Sequence, residues 1–323
     1  MNVGIVGCGL IGQKRARVLG PARLVLCADT VPARAHALAA GHGAAATADW
    51  RQVVASPDVD IVIVATTNDM LAEIAAAAAA AGKHVLVEKP VARNLAEMDG
   101  LIAAAQRGGA LVRAGYNHRY HPALRQAHAI FLSGALGEPM FVRGRYGHGG
   151  RLGYEKEWRA DPALSGGGEL IDQGVHLIDL ARWFLGDFVH VSGFAHTYFW
   201  SMPVDDNAFL LLRTADRRTA FLHASCTEWK NLFSMEIYGR VGKLDISGLG
   251  GSYGVERLTH YKMLPEMGPP ETASWEYPRG DASWALEFAA FLEDIRLGRT
   301  PEPGLADARA ALEVVAKIYA LNG

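Results

Sequence analysis

The chain has 323 residues, 50% hydrophobic and 20% charged, which is the composition of an ordinary globular protein long enough for two domains. Thirty-two basic residues stand against 34 acidic ones, a formal charge of −2 that argues against nucleic acid or a membrane surface as partner. The three cysteines make neither a disulfide framework nor a zinc pattern, and no signal peptide is evident, so a reducing cytoplasmic location is expected.

Residues 1–6 form a short apolar strand that runs into Gly7-Cys8-Gly9-Leu10-Ile11-Gly12, a GxGxxG loop, and then into a helix ending near residue 19. A strand over 23–28 ends at Asp29, and a helix covers about 32–40. In the strand over 60–65 (DIVIVA) every residue after Asp60 is apolar, as expected of a parallel strand covered on both faces. The alanine-rich stretch around 74–82 reads as helix, because alanine is the best helix former, and it is too short to span a bilayer. A strand over 84–87, a helix over 94–107 and a strand over 110–114 complete the series. Strands alternating with helices predict a Rossmann-type α/β domain with a parallel sheet.

The glycine motif has the context that gives it meaning: a strand before it, a helix after it, and an acid about 20 residues on. Gly7 serves the tight turn, Gly9 leaves room for a pyrophosphate, and Gly12 lets helix and strand pack closely. Leu10 and Ile11, at the helix start, join the dinucleotide site through their backbone. Asp29 is placed to accept hydrogen bonds from an adenosine ribose. A carboxylate there repels a 2′-phosphate and so favours NAD over NADP. Arg34 lies nearby as a candidate to soften that preference or to serve as an exposed helix residue. Ligands of such sheets lie beyond the carboxyl ends of the strands. Thr66 and Asn68 follow one strand there, with helix capping as their alternative role, and Glu88-Lys89-Pro90 follows another.

After residue 114 the pattern changes. A polar segment, Tyr116-Asn117-His118-Arg119-Tyr120-His121, leads into a helix over 123–133. Its histidines suggest substrate contact or hinge packing, with no metal site. Strand-like runs follow at 140–146, 188–195, 208–213, 218–225, 234–238, 242–246 and 255–261, which reads as a large antiparallel sheet. The loop 147–168 is long and glycine-rich, with Trp158 and Arg159 as candidate substrate contacts or as parts of a surface lid. It precedes GGGELIDQGVHLIDL, read as a buried helix over 169–184. On a 3.6-residue helix, Asp172, His176, Asp179 and Trp183 share one stripe. Buried charge needs a partner, so the stripe is either a satisfied polar network or an acid–base pair facing a pocket. Helices over 283–297 and 305–321 end the chain.

The GxGxxG turn, the acid after the second strand, Glu88-Lys89-Pro90 and the Asp172-xxx-His176 helix together resemble the glucose–fructose oxidoreductase / inositol dehydrogenase (Gfo/Idh/MocA) family across essentially the whole chain. The resemblance implies an NAD(P)-dependent oxidoreductase acting on a CH–OH group of a sugar, cyclitol or nucleotide sugar. Lys89, Asp172 and His176 fall on the family's catalytic positions. His176 suits a proton acceptor, Asp172 suits its orientation, and Lys89 suits stabilisation of the substrate oxygen. Arg119, Trp158 and Arg159 then fall on the substrate side, and Asp179 and Trp183 on a structural one. The glycines before the helix are expected to let its backbone approach the ligand. The expected domains are 1–118, binding NAD, with a C-terminal helix of about 303–323 packing back on it, and 119–302. The second is an α+β domain that binds substrate and pairs copies into a homodimer or homotetramer through its sheet. An NAD-dependent glycosidase and a catalytically silent NAD-binding regulator are the alternatives.

Overall fold

The computed structural model describes residues 1–266, 268–278 and 280–322. It divides into two compact units. The first comprises Met1–Tyr116, Ala163–Gly166 and Trp284–Leu312; the second comprises Asn117–Pro162, Gly167–Ser283 and the chain from Glu313 onward.

In the first unit β1 (Asn2–Val6), α1 (Leu10–Ala16), β2 (Arg23–Ala28), α2 (Pro32–His42), β3 (Ala45–Thr47), α3 (Trp50–Ala55), β4 (Ile61–Val64), α4 (Asn68–Ala80), β5 (His84–Glu88), α5 (Leu95–Gly108) and β6 (Val112–Gly115) alternate along the chain. The strands form a parallel sheet in the order β3-β2-β1-β4-β5-β6, so the chain switches direction across the sheet at β1 and β4. Val3, Ile5, Ile61, Ile63 and Leu86 are fully buried, which is why these strands read as unbroken apolar runs. β3 and α3 have no counterpart in the sequence reading; Ala45–Thr47 is too short and too small in side chain to show a strand period.

The second unit follows with α6 (Pro122–Leu132), β7 (Pro139–Gly147), the single turn α7 (Pro162–Ser165), which belongs to the first unit from Ala163 on, and α8 (Val175–Leu185). Then come β8 (Phe188–His196), β9 (Asn207–Thr214), β10 (Thr219–Ser225), β11 (Leu232–Gly239), β12 (Gly242–Ser247), β13 (Glu256–Lys262) and β14 (Glu271–Tyr277). Among the described residues these strands make one sheet, in the order β14-β13-β12-β11-β7-β10-β9-β8. It is antiparallel except for the parallel pair β7–β10. α8 packs on it through a gap left by Gly144, where a Cβ would sit 3.2 Å from Leu177 and 3.1 Å from Leu222.

The ends of the chain depart from the expected division. α9 (Ser283–Leu297), expected in the second domain, belongs to the first unit from Trp284 on, and α10 (Leu305–Asn322) is shared, passing to the second unit at Glu313. The physical reason is charge burial. Arg15 in α1 and Arg113 in β6 are fully buried cations, and α9 supplies a carboxylate to each, Glu287 to Arg15 and Asp294 to Arg113. Phe288 and Phe291, on the same helix, complete the core around Ile5, Cys8 and Cys27. The periodicity of α9 shows an apolar face but not its partner.

Candidate functional site

In the first unit the predicted dinucleotide residues gather at the carboxyl ends of the parallel strands. Each fingerprint glycine meets a different physical demand. Gly7 has φ +92°, and a Cβ on it would lie 2.3 Å from the Ala65 carbonyl oxygen. A Cβ on Gly12 would lie 1.9 Å from the Gly7 carbonyl oxygen, so α1 could not pack on its own loop. A Cβ on Gly9 would meet nothing within 4 Å: the protein leaves that space open. Leu10 projects outward and Ile11 is half-buried at the start of α1. Asp29, just past β2, is held by the loop itself. Its Oδ2 accepts the Cys8 N–H at 2.8 Å and its Oδ1 accepts the Val31 N–H at 2.8 Å. Each oxygen keeps a lone pair for a sugar hydroxyl. An open backbone cradle with a fixed carboxylate beside it fits a dinucleotide and its adenosine ribose.

The remaining first-unit candidates separate. Thr66 is half-buried, and its hydroxyl donates to the Thr67 carbonyl. Asn68 is buried at the start of α4, where its amide donates to the Ser165 carbonyl at 2.9 Å, and Thr67 is the N-cap without a side-chain cap bond. Arg34 is exposed in the first turn of α2. Lys89 is half-buried past the end of β5, and the Lys89-Pro90 peptide is cis. Glu88 is buried at the end of β5. Its carboxylate accepts from Arg15 Nε at 2.7 Å, because Arg15 has no exposure to water and needs compensating charge.

In the second unit the predicted helix has a different start. Leu170–Gly174 is a single π-helical turn, and the α-helix begins at Val175. A π turn inserts an extra residue, so Asp172 and His176 do not keep the register of an ideal 3.6-residue stripe. Both are buried, Asp172 at 8% and His176 at 4% exposure. Arg159 Nε donates to Asp172 Oδ2 at 3.1 Å, and the Arg159 guanidinium lies over the half-buried Trp158 ring, 4.6 Å from its centroid. Burial opposes the Arg159 charge, but the Asp172 and Glu157 carboxylates outweigh it and hold the guanidinium more strongly protonated than usual. The structure therefore brings Trp158, Arg159 and Asp172 into one cluster. His176 stacks on His118 with ring centroids 3.8 Å apart.

Arg119, the other substrate-side candidate, is buried. Its guanidinium makes two hydrogen bonds to Asp179, of 2.8 and 2.6 Å, and lies 5.6 Å from the Trp183 ring centroid. That bidentate pair gives the buried Asp179 its compensating charge. The glycines before the helix have another use as well. A Cβ on Gly168 would sit 2.0 Å from the Asp205 carbonyl oxygen, and one on Gly167 would sit 2.2 Å from the Tyr319 hydroxyl. Their neighbours are protein.

Asp205 is the residue that sequence reasoning missed. Its carboxylate accepts the N–H groups of Gly168 at 3.0 Å and Leu170 at 2.7 Å and the Tyr319 hydroxyl at 2.8 Å. Its own carbonyl accepts the Glu169 N–H at 2.9 Å. Burial pushes its carboxyl up, against the pull of these donors. It caps the π turn from outside the helix, more than 30 residues along the chain, where no local motif signals it. Among the described residues no group of three or more metal-binding side chains comes together, and no helix is long and apolar enough to cross a membrane.

With this geometry, the known proteins that the chain matches are informative. The model of the oxidoreductase family with an NAD-binding Rossmann fold (GFO/IDH/MocA) matches residues 1–116, and that of the GFO/IDH/MocA C-terminal domain matches residues 124–245. The chain is 28% identical over 292 residues to levoglucosan dehydrogenase of Pseudarthrobacter phenanthrenivorans, a match covering 76% of this chain and 73% of that one. It is 27% identical over 326 residues to scyllo-inositol 2-dehydrogenase (NAD+) of Bacillus subtilis, covering 96% and 90%. A structure of levoglucosan dehydrogenase in complex with NADH superimposes with a TM-score of 0.90 at 25% identity, covering 100% of this chain and 98% of that one. Taken together, the two matched domains, the glycine cradle and the fixed Asp29 make the chain an NAD-binding oxidoreductase of the Gfo/Idh/MocA family.

Proposed function

We propose that the chain is an NAD-dependent dehydrogenase that oxidises a secondary alcohol of a sugar, cyclitol or nucleotide sugar. The observation that carries this reading is the buried Asp172, paired with the half-buried Arg159, one helical turn from a buried histidine, in a chain with a built dinucleotide cradle. The relatives named for levoglucosan and scyllo-inositol support the substrate class.

Gly7, Gly9, Gly12, Leu10 and Ile11 hold the pyrophosphate through backbone, and Asp29 takes the ribose hydroxyls. Bound NAD supplies the hydride acceptor. His176 takes the proton of the reacting hydroxyl, because a neutral imidazole is a base near neutral pH. Arg159 holds Asp172 in place through its hydrogen bond, and Asp172 orients and tunes His176. Lys89 stabilises negative charge on the substrate oxygen. Trp158 and Arg159 offer a ring face and hydrogen-bond donors to a polyol. Phe194, Leu211 and Phe221 are exposed on one face of β8, β9 and β10, which supports pairing of copies through that sheet as a homodimer or homotetramer; light scattering tests it.

The test is absorbance of reduced nicotinamide with NAD and, separately, NADP, across levoglucosan, scyllo-inositol and other inositols, aldoses and nucleotide sugars. Turnover with at least one polyol and a preference for NAD is the expected result. Intact NAD binding with no turnover on any of them contradicts the reading and favours a regulator, and release of an aglycone without net NADH favours a glycosidase.

A further inference from the structure

His118 has no part in the proposed reaction as given so far, yet it is the ring packed on His176. Their centroids are 3.8 Å apart and their planes 28° from parallel. Tyr146 on β7 stands edge-on to both, at 5.0 Å from His118 and 5.9 Å from His176. Phe233 on β11 and His121 close the other sides of His118, at 6.1 and 5.5 Å.

A directional chain of hydrogen bonds sets how His118 is held. The Ser283 hydroxyl donates to Asp281 Oδ1 at 2.5 Å, since a carboxylate can only accept. Ser283 Oγ must therefore accept from Asn117 Nδ2, at 2.8 Å. That fixes which way the Asn117 amide faces and turns its carbonyl oxygen toward His118 Nδ1, 3.3 Å away. His118 Nδ1 consequently carries a proton in either charge state of the ring. A histidine whose tautomer is fixed by a chain ending in a carboxylate is an unusual wall for a second histidine.

The charged and titratable groups around the pair come from every neighbouring segment. On the His176 helix stand Glu169 and Asp172, the latter bound by Arg159. Beside His118 stand Arg119, paired with Asp179, and His121, paired with Glu256 at the start of β13. His148 approaches Glu169 at 3.7 Å, and Tyr146 and Tyr253 are phenols that burial pushes up and keeps neutral. The carboxylates favour a proton on the histidine pair; Arg159 opposes it, and each histidine opposes a second proton on the other.

We propose that His118 is a positioning residue for His176: it fixes the plane of the His176 ring and keeps the stacked pair from holding two protons at once. The proposal rests on the reading of His176 as the proton acceptor. A base held flat against a neighbour of fixed tautomer keeps one orientation toward its substrate. Two imidazolium charges at this separation repel, so protonation of the pair splits into two steps more than about one pH unit apart.

The test is a pH titration of the full-length protein carrying 13C-labelled histidine, followed by NMR, with His176→Asn and His118→Phe used to assign the two rings. The expected wild-type result is a coupled pair of titrations. His118→Phe, which keeps a ring in place, should reduce His176 to a single step. His176→Asn should change the His118 curve by an equal amount, because coupling is reciprocal. With whichever polyol yields NADH, His118→Ala should lower kcat about tenfold or more while the NAD Kd stays within about threefold, and His118→Phe should recover part of the loss. Superimposable His176 curves in wild type and His118→Phe overturn the proposal. Turnover by His176→Asn at the wild-type rate overturns the acid–base reading beneath it. An inactive His176→Asn beside His118 variants of unchanged titration and kcat removes the positioning role alone.

Discussion

The glycine loop of the first unit and the Asp172–His176 helix of the second solve opposite problems. The loop works by what its residues lack. A Cβ at Gly7 or Gly12 would strike backbone, and at Gly9 it would fill space the protein leaves open. The helix works by what surrounds it. Asp205 and Tyr319 cap its start, Arg159 holds Asp172, and His118 covers His176. A site made from missing side chains is encoded within a few consecutive residues. A site made from buried polar groups needs partners from distant parts of the chain.

Substitutions can break this contrast, and the largest effect is expected in the loop. Gly12→Ala forces a Cβ to 1.9 Å from the Gly7 carbonyl and should lower stability by about 3 kcal/mol, read from urea unfolding. Gly9→Ala should leave stability within about 1 kcal/mol, since nothing lies within 4 Å, and weaken NAD binding at least about tenfold by calorimetry. Equal stability losses in the two variants contradict the separate roles of the glycines.

The helix should respond next. Asp205→Ala leaves the Gly168 and Leu170 N–H groups and the Tyr319 hydroxyl without their shared acceptor. The expected loss is about 2 kcal/mol of stability, with faster amide exchange at Leu170 and Asp172. Wild-type exchange at these amides in Asp205→Ala rules out the cap.

The smallest effect sharpens the comparison through pH. His128 of α6 stacks on Trp183 of α8 at 3.7 Å, and burial pushes its imidazole down from 6.5 to about 4. The unfolded chain therefore takes up this proton first as pH falls. The stability His128 contributes is complete above pH 6.5 and is lost between about 6.5 and about 4. Allowing for its partial exposure, the loss is about 1–2 kcal/mol. His128→Phe should flatten the stability profile in that window; an unchanged slope there excludes the contribution.

What the sequence disclosed follows the same division. The Rossmann strands, the fingerprint glycines and Asp29 were legible because strand, turn and acid lie in order along one short stretch. Lys89, Asp172 and His176 were singled out by resemblance and spacing, while the π turn that changes the register of Asp172 and His176 was invisible, because Gly174 and Gln173 carry no signal that separates π from α. For Glu88 and Arg119 the sequence hid the ion-pair partner. Each looked like a free polar group beside a ligand until its buried partner, Arg15 or Asp179, emerged from a remote segment. β14, at Glu271–Tyr277, is an exposed edge strand without the alternating burial that makes a strand readable.

In the proposed reaction one set of residues binds NAD and a separate set moves the substrate proton. Its most direct test pairs NAD affinity by calorimetry with NADH formation in His176→Ala. The expected result is an NAD Kd within about threefold of wild type and a kcat lower by about 10²–10⁴-fold. Wild-type turnover in His176→Ala, or loss of NAD binding in step with turnover, contradicts it.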